Sequence, residues 1–510
     1  MITTLFWVPR GQAAAAVACS TQDPGQEHVP PDVLVEGDPT LPQVVMSESE
    51  SSEVGLDQVL SFPGDFSEGR DPNLSAQAVD WEQLEAEDER FQDTDWLIFT
   101  GRLYADDSCG FEVCVLERPD IEPGRKPSSF AAIDSNVYIH HDGVLAAAPL
   151  SSAFTDYGGR CIAAVGTYAP TVELWDLVST NAVEPLLTLG SAAPGESWNR
   201  TIVTGNGDDV AVQVTQKSRK RKRQSMGEAG LPRVDQAGHR SAVLCLTFHP
   251  QRRAFLASGS ADRSIKCWDI RDGVCATTID EMHTDKVQAL AWNPRQDTVL
   301  LSAGFDRRAC LVDLRAPPPR PTPAWQMVFD RDPENVVWLS ENHCLLSDEG
   351  GVVRAFDIRR TGNDYQRPLW SIRPCQDRPA LIALAPQVPD MLVVGSTDGY
   401  LRIYDLKLCA GNQSESASTQ AATSESNAIG RVKAHAGALF SVECCPDENF
   451  AFAVACGGSK GKLTIVDVAE STPAVLDHFR DRAPLAAEQV EARLRCLAEI
   501  DKQDLAAGGM

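Results

Sequence analysis

The chain has 510 residues and a formal net charge of −26. No apolar run reaches the ~18 residues of a membrane-crossing helix. The 15 cysteines stand without the paired C-x-x-C spacing of zinc sites, which points to a reducing compartment with no metal and no cofactor. The charge is uneven, with 20 Asp or Glu between residues 11 and 95 against only Arg70 and Arg90.

At the start, Ile2, Leu5, Trp7 and Pro9 fit a template that recurs downstream: an apolar residue, another three on, an aromatic or Cys two on, then Pro. It returns as Val243, Leu246, Phe248, Pro250, as Val287, Leu290, Trp292, Pro294, and as Leu439, Val442, Cys444, Pro446. The last three positions lie two apart, share one face of a strand, and end at a proline that cannot continue it. Residues 2–9 therefore read as a strand; the alternatives are the innermost strand of a first repeat or an outer strand of the last. Ala13 to Ala18 are apolar, but Pro9-Arg10-Gly11 interrupts any hydrophobic core and the start lacks basic residues, so no secretory signal is expected.

Residues 11–94 are acidic and rich in Ser, Pro, Gly and Gln. Such a segment buries too little apolar surface to offset its chain entropy, and disorder is expected. Ser47, Ser49 and Ser52 lie among Glu48, Glu50 and Glu53 as candidate sites for an acidophilic kinase, whose phosphates would deepen the charge. The segment reads either as an arm for basic partners such as ribosomal proteins or histone tails, or as a solubilising loop. A short helix is expected over residues 81–91.

Strands follow in DWLIFTGRL (from Asp95) and GFEVCVLE (from Gly110). Six segments then end in an apolar run, an aromatic or Val, and Asp: Trp175-Asp176, Trp268-Asp269, Val312-Asp313, Phe356-Asp357, Tyr404-Asp405 and Val466-Asp467. A period of ~40–45 residues ending in Trp-Asp is the signature of a WD-repeat β-propeller blade. With a closing strand at about Val115, seven blades are predicted: an all-β, seven-bladed WD-repeat β-propeller with a disordered acidic N-terminal segment and a short C-terminal helix. The domain boundaries read as 1–10 for the N-terminal strand, 11–94 acidic, 95–480 propeller and 481–510 helical tail, with Val490, Leu494 and Leu497 at helical spacing in the tail.

Two insertions interrupt the propeller. The first, residues 190–236, carries Lys217, Arg219, Lys220, Arg221, Lys222 and Arg223, six basic residues in seven positions. This run reads as a nuclear localisation signal, with direct phosphate-led RNA contact as the next reading and a solvated charge run as the bland one. The second, residues 410–430, is a polar linker.

One repeat carries a full polar tetrad: His239 on a loop, Ser258 on a strand, Asp262 in a turn and Trp268 closing. Catalytic or metal roles are weighed against mutual hydrogen bonding, at ~1 kcal/mol per bond, and the structural role is preferred. The next repeat keeps His283, Ser302 and Asp306 but has Val312 for Trp, and Asp398 in a later turn lacks an obvious His. Gly457 to Lys462, GGSKGK, precedes a strand and is a hairpin turn, not a phosphate loop. With no nucleophile elbow and no metalloprotease motif, no catalytic residue is assigned and no enzyme is expected.

The segments MITTLFWVPRG, DWLIFTGRL, HTDKVQAL (from His283) and CCPDENFAFAVACGG (from Cys444) resemble the periodic tryptophan protein 1 family. WVPRG is the most specific, and the basic insertion follows EPLLTLG as a Lys-rich one does in that family. The resemblance implies a non-catalytic scaffold of nucleus and nucleolus, acting in large-subunit assembly and pre-rRNA processing. Its implied partners are ribosome assembly factors, ribosomal proteins, pre-rRNA and, in some lineages, histones or chromatin and ribosomal-DNA transcription. No membrane partner is expected, and the chain reads as a monomer within a large complex. The repeats depart from the pattern where Val312, Phe356, Tyr404 and Val466 replace Trp, and the acidic segment cannot be matched residue by residue. A rival reading is a cullin-RING ligase substrate receptor, because Asp269-Ile270-Arg271, Asp313-Leu314-Arg315 and Asp357-Ile358-Arg359 repeat an Asp-x-Arg at blade ends.

Overall fold

A computed structural model describes residues 1–9, 12, 91, 95–116, 137–180, 182–190, 238–315, 323–360, 367–411 and 427–484. Seven antiparallel sheets follow one another in the chain; six have four strands and the last has three. The innermost strands are Ile2–Val8, Pro149–Tyr157, Val243–Phe248, Val287–Trp292, Pro333–Trp338, Ala380–Leu384 and Leu439–Cys444. Each packs on its successor, and Leu439–Cys444 packs back on Ile2–Val8. This is a closed seven-bladed β-propeller, and closure leaves no open flank in the ring.

Residues 2–8 form the innermost strand of blade 1, paired with Trp96–Leu103 in the register Trp7↔Ile98. The other reading, an outer strand of the last blade, is thereby excluded. The ring closes because this strand carries the recurring inner-strand template. Trp7 donates its indole N–H to the backbone oxygen of Glu443 in blade 7, at 3.3 Å. Trp292 does the same to Thr247 at 3.2 Å and Trp338 to Ala291 at 3.1 Å, in each case reaching the preceding blade. Where the template's aromatic position is Trp, it is thus an inter-blade staple.

The core is distributed as seven apolar clusters, one in each space between neighbouring blades. The Trp-Asp segments are the third strands, with Trp175, Trp268, Tyr404 and Phe356 fully buried; in six blades a fourth strand lies outside them. In blade 1 the closing position shifts by one residue. Val115 faces blade 2, while Leu116 faces blade 7 as Trp268 faces blade 2. Side chains alternate along a strand, so a slip of one residue exchanges the two neighbours.

Because every blade is antiparallel, inner strands all begin at one face, here called upper, and end at the lower face. The loops bearing His239 and His283 and the turns bearing Asp262 and Asp306 lie at the upper face. The turns after the inner strands and the ends of the third strands lie at the lower face. After the last third strand, Asp467 caps a short helix, Val468–Ser471, by accepting from the Ala469 and Glu470 amides. A second helix, Pro473–Phe479, buries Val475, Leu476 and Phe479 in the cluster between blades 6 and 7.

Candidate functional site

Blade 3 brings its tetrad together. The Trp268 indole N–H donates to Ser258 Oγ at 2.8 Å, and His239 Nε2 lies 2.7 Å from the same oxygen. His239 Nδ1 lies 3.1 Å from Asp262 Oδ2, which also accepts from the Arg240 amide at 2.8 Å. One proton arrangement satisfies the set, assigned from the network: Trp268 donates to Ser258, Ser258 to His239 Nε2, and His239 Nδ1–H to the carboxylate. His239, Ser258 and Trp268 are buried. Burial holds the imidazole below its usual range. The Asp262 carboxyl is raised by burial, but hydrogen bonds from His239 and Ser264 outweigh this and hold it well below the carboxylate range. Ser264 and the Arg240 amide complete the hydrogen bonding of Asp262, so the polar atoms of the tetrad are engaged within the blade.

Blade 4 repeats the geometry with one member missing. His283 Nε2 is 2.9 Å from Ser302 Oγ, and Nδ1 is 3.0 Å from Asp306, while Val312 fills the indole position. Blades 5 and 6 replace His with Arg on the third strand: Arg354 meets Asp348 at 2.5 Å and Arg402 meets Asp398 at 2.5 Å. Both arginines stand three residues before the closing Asp, and that spacing was a signal available in the sequence. In blade 2 the Trp175 indole finds Glu173 at 3.1 Å, and burial raises that carboxyl's pKa.

At the lower face, each Asp-x-Arg forms the same fork. Arg271 donates through Nε and Nη2 to Asp269, Arg315 to Asp313 and Arg359 to Asp357. The hydrogen bonds from Arg315 and Arg359 pull Asp313 and Asp357 down to about 2. In blade 6 the arginine comes from elsewhere, since Asp405 accepts from Arg482 at 2.5 Å and pairs with His478 at 2.8 Å, the histidine on the helix Pro473–Phe479 and the arginine in the turn after it. A cleft between blades 3 and 4 on this face is lined by Arg252, Gln296, Asp297, Thr298 and Arg315.

The points where the charged segments join the propeller are on opposite faces. Residues 10–94 interrupt blade 1 between Val8 and Trp96, at the lower face. Residues 191–237 leave after Gly190 and return at Gly238, at the upper face. These two residues touch: a Cβ on Gly190, whose φ is +81°, would lie 3.1 Å from the Gly238 Cα. The basic run 217–223, Ser47, Ser49, Ser52, the helix expected over 81–91 (apart from Phe91) and the tail positions Val490, Leu494 and Leu497 lie outside the described residues.

Residues 232–269 match the WD domain, G-beta repeat family. The chain is 26% identical to Periodic tryptophan protein 1 of Saccharomyces cerevisiae over 70% of this chain and 64% of that protein. It is 25% identical to the Periodic tryptophan protein 1 homolog of Drosophila melanogaster over 64% of this chain and 60% of that one. A shorter stretch, 21% of this chain and 25% of the relative, is 32% identical to a Ribosome biogenesis protein WDR12 homolog of Nematostella vectensis. The alignments thus span less than two thirds of the two periodic tryptophan proteins. The chain is a WD-repeat β-propeller, similar over most of its length to periodic tryptophan protein 1.

Proposed function

We propose that this protein is a non-catalytic scaffold in ribosome biogenesis, acting in the nucleolus on assembly of the large subunit and processing of its pre-rRNA. The observation that carries the reading is the similarity to the periodic tryptophan proteins across the propeller, supported by the relative whose name includes ribosome biogenesis. The polar networks of blades 3 to 6 are closed on themselves, which suits a rigid platform better than a reaction centre.

The mechanism we favour is bivalent. The acidic segment, of charge −18, joins the propeller (residues 1–10 and 95–480) through residues at its lower face, and the insertion with the basic run 217–223 joins it through Gly190 and Gly238 at its upper face. Basic neighbours such as ribosomal proteins meet the first, and RNA phosphates or import receptors meet the second. Depletion of the protein tests the role: large-subunit precursor rRNA should accumulate and free large subunits should fall. Unchanged pre-rRNA processing after full depletion would remove it.

The three exposed Asp-x-Arg arginines support a second reading, a substrate receptor for a cullin-RING ligase. Its mark is co-purification with a ligase adaptor that Arg271→Ala abolishes while the fold is kept.

A further inference from the structure

Six of the seven inner strands share a bulge one residue after their start. In blade 7, Leu439 pairs with Gly458 and Ser441 with Gly457, so Phe440 is the extra residue. Thr3, Leu150, Leu244, Gln288 and Glu334 hold the same place in blades 1 to 5. A bulge re-aims its side chain, and here it occurs at the upper end of six of the seven inner strands, blade 6 pairing without one. Phe440 is the aromatic of this set, and it is 39% exposed. An aromatic ring held open on a rigid strand calls for a partner that covers it.

Basic residues lie on the upper-face segments that lead into its strand and adjoin it. The chain crosses from blade 6 to blade 7 through Lys433, His435 and Gly437, with Lys433 and His435 exposed. The neighbouring turn of blade 7 presents Lys460 and Lys462, also exposed. The two segments are tied together: the Lys460 amide donates to Ala436 O at 3.1 Å and the Ser459 amide to Ala438 O at 2.9 Å. At Gly437, with φ of +86°, a Cβ would strike Ser459 Oγ, so the close approach needs glycine. Among the described residues none of these four basic side chains forms an ion pair. On the lower face, by contrast, Arg271, Arg315 and Arg359 are each committed to an Asp. In a chain of net charge −26, three exposed lysines without an ion pair among the described residues, on the same face as an open aromatic ring, offer a complementary surface to an anionic partner.

We propose that Phe440, Lys433, His435, Lys460 and Lys462 form a docking site for single-stranded RNA on the upper face of the propeller, running from the outer strand of blade 6 to the inner strand of blade 7, with a base stacked on Phe440 and phosphates on the lysines. Lysine acts on phosphate as a point charge, and any base offers a π-face to the ring. An acidic polypeptide would share the charge but gain less from the stack. The site deepens the proposed function and rests on it for the RNA partner, but it is separate from the basic run 217–223.

The test uses the full chain with the basic residues of 217–223 replaced by Gln. Binding of a labelled single-stranded RNA of about 12 nucleotides is followed by anisotropy between about 50 and about 200 mM salt. Phe440→Ala should weaken binding by about 5- to 150-fold and leave the salt slope unchanged. The double variant Lys460→Gln/Lys462→Gln should flatten the slope of log K against log salt by about 1.4, at ~0.7 per phosphate contact on a single strand. Arg315→Gln on the lower face should change neither. Phe440, Lys460, Lys462 and Arg315 are exposed, and circular dichroism verifies folding of every variant. Unaltered binding in both upper-face variants overturns the proposal, as does a poly-glutamate peptide that binds as tightly as RNA with the same dependence on Phe440. Gradient sedimentation of the same proteins separates the two readings. Oligonucleotide binding that needs Phe440, without co-sedimentation of the unmodified chain with precursor rRNA, keeps the site and removes the ribosomal role; co-sedimentation with Phe440→Ala binding normally removes the site alone.

Discussion

Ser258→Ala and Ser302→Ala are the same chemical change in adjacent blades, yet the structure predicts different costs. Ser258 Oγ takes the Trp268 indole at 2.8 Å and faces His239 Nε2 at 2.7 Å. Removing it orphans a buried donor and a buried acceptor together. Ser302 Oγ faces only His283 Nε2 at 2.9 Å and donates weakly to Cys310 O at 3.2 Å, because Val312 has no N–H to offer. An unsatisfied buried polar group costs about 1–3 kcal/mol. Ser258→Ala should therefore destabilise by about 2–6 kcal/mol and Ser302→Ala by about 1–3 kcal/mol. Urea unfolding of the two variants, read by tryptophan fluorescence and circular dichroism, measures the difference through the midpoint at constant slope. Trp268→Phe combined with Ser258→Ala should cost less than the sum of the single changes, since the indole orphan disappears with the indole. Equal costs for the two serine variants, or strict additivity in the double, would refute the idea that the indole is a working member of the network.

Trp7→Ala should open the seam between blades 7 and 1, at about 3–5 kcal/mol for a large buried aromatic; limited proteolysis after residue 9 should then release the N-terminal strand that wild type retains. Glu443 receives the Trp7 amide at 3.2 Å. Some of its surface remains accessible, but protein surrounds the carboxyl and desolvation pushes it up to about 8 from a usual 4.5. A carboxyl raised on folding gives stability below pH 4.5 that is lost as pH rises to about 8, because the unfolded chain ionises first. Glu443→Gln should thus match wild type near the lower limit and exceed it in thermal stability at the upper; no gain at alkaline pH would contradict this. Arg315→Ala removes a fork whose arginine is 72% exposed and should shift stability by less than about 1 kcal/mol. A larger loss in thermal unfolding would show that the fork supports the fold.

What was legible in the sequence is what repeats. The inner-strand template reached residues 2–9 because Trp7 performs the same inter-blade hydrogen bond as Trp292, and a shared physical task leaves a shared spacing. Likewise His239 and Asp262 sit 23 residues apart, as do His283 and Asp306, and the same separation produces the same contact. Exchanges of chemistry at fixed geometry were harder to see. Asp398 has no His upstream at the spacing of the earlier blades; its partner, Arg402, lies four residues on and across the turn. Asp405 looked like another blade-end Asp, but its arginine comes from Arg482, 77 residues away. The placement of Phe440 was invisible for another reason. A bulge changes the pairing count of two strands, and a single strand's pattern does not record it. The offset at Leu116 has the same origin, since only the facing blades tell one side of a strand from the other.

The most direct test of the account is a low-salt affinity purification of the tagged protein followed by a sucrose gradient, with RNA and protein read in each fraction. A large-subunit scaffold should sediment with large-subunit precursor rRNA and assembly factors, and removing residues 217–223 should weaken that association or its nuclear delivery. Sedimentation as a free protein, or with ligase adaptors and no rRNA, would contradict it.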